Sequence, residues 1–141
     1  MLSALSEAGV DFLVVGAHAL AAHGYPRATG DLDIWVRPTK GNADRVWQAI
    51  ENFGAPHRNL RRDDFYTPDT VFQIGVEPNR IDILTSIDGV EFDEAWPNRR
   101  PTTIDKISFH VIGREQLLKN KRATGRPKDL ADVAYLEQKD G

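Results

Sequence analysis

Three aspartates set out the chemistry this chain is equipped for. Asp31 and Asp33 lie in Gly30-Asp31-Leu32-Asp33-Ile34-Trp35-Val36, and Asp82 lies in Arg80-Ile81-Asp82-Ile83-Leu84. In an extended strand, residues two apart share a face. Leu32, Ile34 and Val36 are therefore expected on one side and Asp31 and Asp33 on the other, and Asp82 is opposed to Ile81 and Ile83 in the same way. Aspartate is disfavoured in strands, and two neighbouring carboxylates repel each other. A divalent cation between them removes that repulsion. If Asp82 converges on the pair, the trio can bind one or two Mg2+ (or Mn2+) ions. Such ions clamp the attacking and leaving oxygens of a phosphoryl transfer. Asp82 alone reads as an ordinary edge-strand charge; the Asp-Leu-Asp pair after a glycine turn does not.

Gly16 suits a complementary role. It ends the apolar run Phe12-Leu13-Val14-Val15 and opens an alanine-rich segment. A glycine between a strand and a helix N-terminus lets backbone N–H groups approach a phosphate closely. Near the other end, Arg114, Lys119, Lys121, Arg122, Arg126 and Lys128 form a basic cluster in a chain of net charge -3. They can hold a triphosphate or an acceptor by charge, or simply form two solvated helix faces. Asp129 and Asp132, at i and i+3, can share a helix face and pair with these lysines. Lys121 with Asp129 is the preferred match, and Lys119 and Asp132 are its rivals. His18 and His23 have no second ligand at a helical zinc spacing and read as polar surface histidines. Trp35, Trp47 and Trp96 read as packing residues. His57-Arg58 and Arg61-Arg62, with Phe65 and Tyr66, offer charge and stacking to nucleic acid, although a surface loop is the plainer assignment.

The elements that must position these residues follow from periodicity and punctuation. Short helices are expected over Leu2–Ala8 and Ala17–His23, and a continuous apolar strand over Val10–Val15. A second strand is expected over Asp31–Val36. Val46, Trp47, Ile50 and Phe53 recur at helical spacing, which predicts an amphipathic helix capped by Thr39 or Asn42 and ended by Gly54 and Pro56. Strands follow over Val71–Val76 and Arg80–Leu84, then a helical turn over Phe92–Trp96 and strands over Thr102–Ile104 and Ile107–Val111. Two helices, from Gly113 to about Arg122 and from Lys128 to Gln138, close the chain, with Pro127 in the first turn of the last. This order predicts an α/β (α+β) fold, a mixed sheet flanked by helices, in one domain over 1–141 with a helical C-terminal segment from about 113. At 141 residues the chain can bury a real core. It contains no cysteine, which excludes disulfides and a thiol nucleophile and suits a reducing cytoplasm. No basic, apolar leader opens it, and no apolar run nears the roughly 20 residues of a membrane span. The acidic balance gives no global field for nucleic acid.

The run Gly16-Ala17, thirteen residues, then Asp31-Leu32-Asp33-Ile34 resembles the signature of the DNA polymerase β-like nucleotidyltransferase superfamily. Asp82 looks like that superfamily's third carboxylate. Arg27-Ala28-Thr29-Gly30-Asp31 resembles the AbiEii-like stand-alone bacterial nucleotidyltransferases, several of which belong to toxin–antitoxin systems. The stretch from Leu117 to Asp132 is similar to their distal motifs, in which a lysine and an aspartate follow on two helices. The resemblance covers most of the chain in order. It implies transfer of an NMP from an NTP to an RNA, protein or small-molecule acceptor. Asp31, Asp33 and Asp82 would serve as catalytic and metal-binding residues, and Gly16, Ala17, Arg27, Thr29, Lys121, Lys128 and Asp129 would contact the nucleotide. Ala17 stands where the superfamily has Gly or Ser: it keeps the backbone N–H and offers no hydroxyl. That departure keeps open a second expectation, a catalytically weakened member that binds nucleotide or acts as an antitoxin-like partner.

Overall fold

In the computed structural model, residues 1–25, 30–56, 60–76 and 79–140 are described. The first strand and its return are built as expected. The helix α1 (Leu2–Glu7) precedes β1 (Phe12–Val15), whose four residues are all buried. The helix α2 (Gly16–Ala22) follows without a linker, and β2 (Leu32–Val36) runs back antiparallel to β1. Asp31 falls one residue before β2 because its carboxylate accepts the backbone N–H of Arg80 at 3.0 Å instead of extending the ladder.

The amphipathic helix is α3 (Lys40–Phe53). Thr39 is its N-cap, with the hydroxyl facing the Asn42 N–H at 3.4 Å, and Gly54 closes it in a left-handed conformation. Asn42 also ties the helix to the sheet. Its amide donates to the carbonyls of Asp11 and Arg37, and its oxygen accepts from the Asp11 N–H. Arg62–Tyr66 forms a 3-10 turn that seats Phe65 in the core. The remaining strands are β3 (Val71–Ile74), β4 (Ile81–Leu84), β5 (Arg100–Ile104) and β6 (Ile107–Val111). The short α4 (Phe92–Ala95) lies between β4 and β5, and α5 (Arg114–Thr124) and α6 (Pro127–Asp140) end the chain.

The six strands form one mixed sheet in the order β3-β4-β2-β1-β6-β5. Two of its pairings are parallel, β1 with β6 and β2 with β4; the others are antiparallel. The register of β2 with β4 matters most for the site, because it sets Asp33 directly opposite Asp82 and Trp35 opposite Leu84. Opposed residues share a face, so Val15, Asp33, Asp82 and Gln73 form one row across four strands. Trp35 lies on the same face and meets Phe92 of α4 edge-on, with ring centroids 5.0 Å apart. Trp35 is fully buried as expected, whereas Trp47 and Trp96 are half-buried beneath the guanidinium groups of Arg62 and Arg99. Among the described residues, no helix is long and apolar enough to cross a membrane.

Candidate active site

The carboxylate face is assembled from the β1–α2 junction, the start of β2 and the start of β4. Gly16 has φ +69, a left-handed conformation that permits β1 to turn straight into α2. The space on its Cα is also taken: a Cβ there would lie 2.3 Å from Asp33 Oδ2. Gly16 is thus required twice, by its backbone angle and by the carboxylate packed against it.

Asp33 and Asp82 are neighbours on adjacent strands, at the roughly 4.8 Å spacing of paired backbones. The Asp33 carboxyl is pushed up to about 6. Burial is the main cause, followed by the charges of Asp82 and Asp31 and a hydrogen bond shared with Asp82, while Arg80 pulls the other way. Arg80 belongs to this group although its type and spacing did not single it out. Its guanidinium grips Asp82 with two bonds, Nε to Oδ1 at 2.8 Å and Nη2 to Oδ2 at 3.1 Å, and the same Nη2 lies 3.6 Å from Asp31 Oδ2. The signal available in sequence was the i, i+2 placement of Arg80 and Asp82 on one strand face.

A cavity of about 300 Å3 opens over this face. The sheet side contributes Gly16, Ala17, Gly30, Asp31 and Asp33, and the far side contributes Lys121, Arg126, Lys128 and Asp129. The first motif and the distal basic segment, a hundred residues apart in the chain, therefore face each other across one space. A second cavity of about 340 Å3, lined by Trp35, Thr85, Ser86 and Phe92 among others, contains none of the expected site residues. Arg27 and Thr29 lie outside the described residues, as do His57 and Arg58.

The basic cluster divides sharply. Lys121 is buried and paired with both rivals at once, Asp129 Oδ1 at 3.1 Å and Asp132 Oδ2 at 3.0 Å. Lys119 turns away to Glu94 at 2.8 Å, Arg114 pairs with Glu115, and Arg122 pairs with Glu137. Arg126 holds Asp129 Oδ2 through Nε at 2.7 Å while remaining largely exposed at the cavity. Arg126 and Lys128 are thus the cationic groups at the cavity wall that lie open to solvent. His18 and His23 stand clear of this cavity; both are half-buried, and His23 Nε2 donates to the Ile112 carbonyl at 2.8 Å.

Burial alone would raise the Asp129 carboxyl, but hydrogen bonds from Thr124, Arg126 and Lys121 and the charge of Lys121 outweigh it and lower it to about 2. A carboxylate held below its unfolded value of 3.8 adds stability that is complete above that pH and lost as pH falls through about 2. Denaturant midpoints measured from pH 5 to pH 2 are expected to fall over this range by the equivalent of on the order of 2 kcal/mol. Asp129→Asn should flatten that acid limb.

The donor set suits a divalent cation. Three carboxylates supply hard oxygen ligands, burial and then the neighbouring charges drive Asp33 toward its protonated form, and Gly16 leaves no Cβ in front of the Asp33 oxygen. Among the described residues, no three acidic or imidazole groups are gathered closely enough to hold an ion as they stand. The Arg80 guanidinium lies between Asp31 and Asp82 and pairs with both.

The profile of the family called nucleotidyl transferase of unknown function (DUF2204) matches residues 1–139. No curated protein matches the chain. A crystal structure of a candidate nucleotidyltransferase from Thermotoga maritima is similar to it with a TM-score of 0.62 at 15% identity, over 98% of this chain and 88% of that one. At that identity the likeness is one of fold: a mixed sheet flanked by helices, as the order of elements predicts.

Proposed function

Because this chain belongs to the family of nucleotidyl transferases of unknown function designated DUF2204, we propose that it transfers an NMP from an NTP to a hydroxyl-bearing RNA, protein or small-molecule acceptor. One observation carries this reading: Asp31 and Asp33 line, beside Gly16, a cavity whose far wall is Lys121, Arg126 and Lys128, and Asp82 stands opposite Asp33 on the next strand. Nucleotidyltransferases as a class use divalent metals, and Asp31, Asp33 and Asp82 are the residues that would hold Mg2+ or Mn2+ here. When bound, the ion neutralises charge on the phosphates and on the leaving pyrophosphate. The chain's own residues do the rest. The N–H groups following Gly16 meet the phosphates at the α2 N-terminus, while Arg126 and Lys128 balance the growing negative charge from the opposite wall. Asp82 orients the acceptor hydroxyl and takes its proton as the oxygen attacks the α-phosphorus and the bond to pyrophosphate breaks. The test is incubation with α-labelled NTPs, Mg2+ or Mn2+, and RNA, protein and small-molecule acceptors. Label on an acceptor with release of pyrophosphate is the expected result, and failure to bind any NTP would sink the reading.

Ala17 favours a second reading. It lines the cavity with no hydroxyl to offer a phosphate, as suits a catalytically weakened member of the fold that binds nucleotide or acts as an antitoxin-like partner. Calorimetry that finds NTP binding without turnover on every acceptor would select it.

A further inference from the structure

We infer that Arg80 is the built-in counter-ion of the carboxylate trio, and that a divalent cation enters by displacing its guanidinium from Asp82 and Asp31. This rests on the proposed metal site and goes beyond it, because it assigns a positioning role to a residue outside that site's ligand set. Both oxygens of Asp82 are engaged by Arg80, at 2.8 and 3.1 Å. Both oxygens of Asp31 also face it, Oδ1 accepting the Arg80 backbone N–H at 3.0 Å and Oδ2 lying 3.6 Å from Nη2. Asp82 is only 7% exposed, so its negative charge is poorly served by water and needs a cation beside it. The forked guanidinium meets that need with fixed geometry. The same forked grip sets a positive charge against both oxygens of Asp82, where another cation would have to approach. A divalent ion approaching Asp82 meets the repulsion of that guanidinium and competes with it for the same carboxylate.

The consequence is directional. Arg80 stabilises the metal-free protein and weakens its affinity for bare cation, so loading is favoured when a nucleotide triphosphate supplies further ligands to the ion. Removing the guanidinium releases both oxygens of Asp82 and leaves three carboxylates seeking charge.

Mn2+ binding without nucleotide, read from the free-ion paramagnetic resonance signal, tests this in the full chain and its Arg80→Met, Arg80→Lys and Asp33→Asn variants. Arg80→Met is expected to tighten Mn2+ binding about tenfold, the scale of one charge-assisted contact. Arg80→Lys keeps the charge, loses the fork and falls between; it also serves if the methionine variant does not fold. Asp33→Asn should abolish binding. If Asp33→Asn abolishes binding while neither Arg80 variant tightens it, the metal site stands and the role of Arg80 is overturned. If Asp33→Asn binds Mn2+ as well as the parent, or no variant binds it even with NTP present, the metal-site reading fails and the inference fails with it.

Discussion

Asp33→Ala is expected to lower nucleotidyl transfer by at least about a thousandfold, the scale of losing a group that organises charge at a reacting phosphate, without lowering the stability of the metal-free protein at neutral pH. The two halves have one cause. Asp33 lies between Asp31 and Asp82 and is held at about 6 by burial and by their charges. Its folded value is raised, so the fold favours the protonated form. Ionised Asp33 is therefore a burden above about pH 6, and that burden disappears as pH falls toward the unfolded value of 3.8. Removing the carboxyl relieves repulsion at pH 7.5 while taking away a central oxygen donor. The measurement pairs transfer of label with a urea unfolding curve on the same preparation. Transfer equal to the parent's would refute the site. A variant that is inactive because it is unfolded would betray itself in the urea curve, and Asp33→Asn, closer in shape, then carries the comparison.

The second large effect concerns folding. Lys121→Met is expected to destabilise the protein by about 3–5 kcal/mol, since it strips the shared cation from two buried carboxylates. Lys121 is 6% exposed, and Asp129 and Asp132 are 4% and 1% exposed. Their ion pairs join the end of α5 to the start of α6 around Gly125, whose left-handed conformation ends α5. Asp129 keeps Thr124 and Arg126 as donors at 2.6 and 2.7 Å. The double variant Lys121→Met with Asp132→Asn should therefore recover part of the loss. The readout is the free energy of unfolding from denaturant titration. A loss below about 1 kcal/mol for the single variant would show that Lys121 behaves as an exposed pair would.

What could be read from the sequence was whatever depends on neighbouring residues. The apolar run Phe12–Val15, the three- and four-residue spacing of α3 and the alternation around Asp33 each declare themselves within a few positions, and the structure follows them. The Asp-Leu-Asp pair stood out because its residue type contradicts its strand setting. Arg80 sent only the weaker signal of its i, i+2 placement with Asp82, because an arginine at the start of a strand is unremarkable until the parallel register brings Asp31 beside it. Lys121 was the preferred partner of Asp129, but type and spacing left Lys119 as its rival. The difference arises in three dimensions, where Lys119 meets Glu94 at 2.8 Å and Lys121 enters a buried junction. Asp132 was only a rival to Asp129 because a helix face shows that two residues can share a partner, not that they do.

The parallel seam between β2 and β4 also fixes when the site can exist. Gly16, Asp31 and Asp33 are synthesised first and can be gathered by a local antiparallel return. Arg80 joins Asp31 across 49 positions, and Lys121 is made later still. A pairing that spans so much chain closes late, since distant segments meet only after the loop between them is closed. An emerging or partly folded chain thus carries two of the three aspartates with neither their guanidinium partner nor the opposing wall. The proposed site is therefore complete only once the last helix has docked, so completion of the fold sets when its carboxylates and its opposing wall come together.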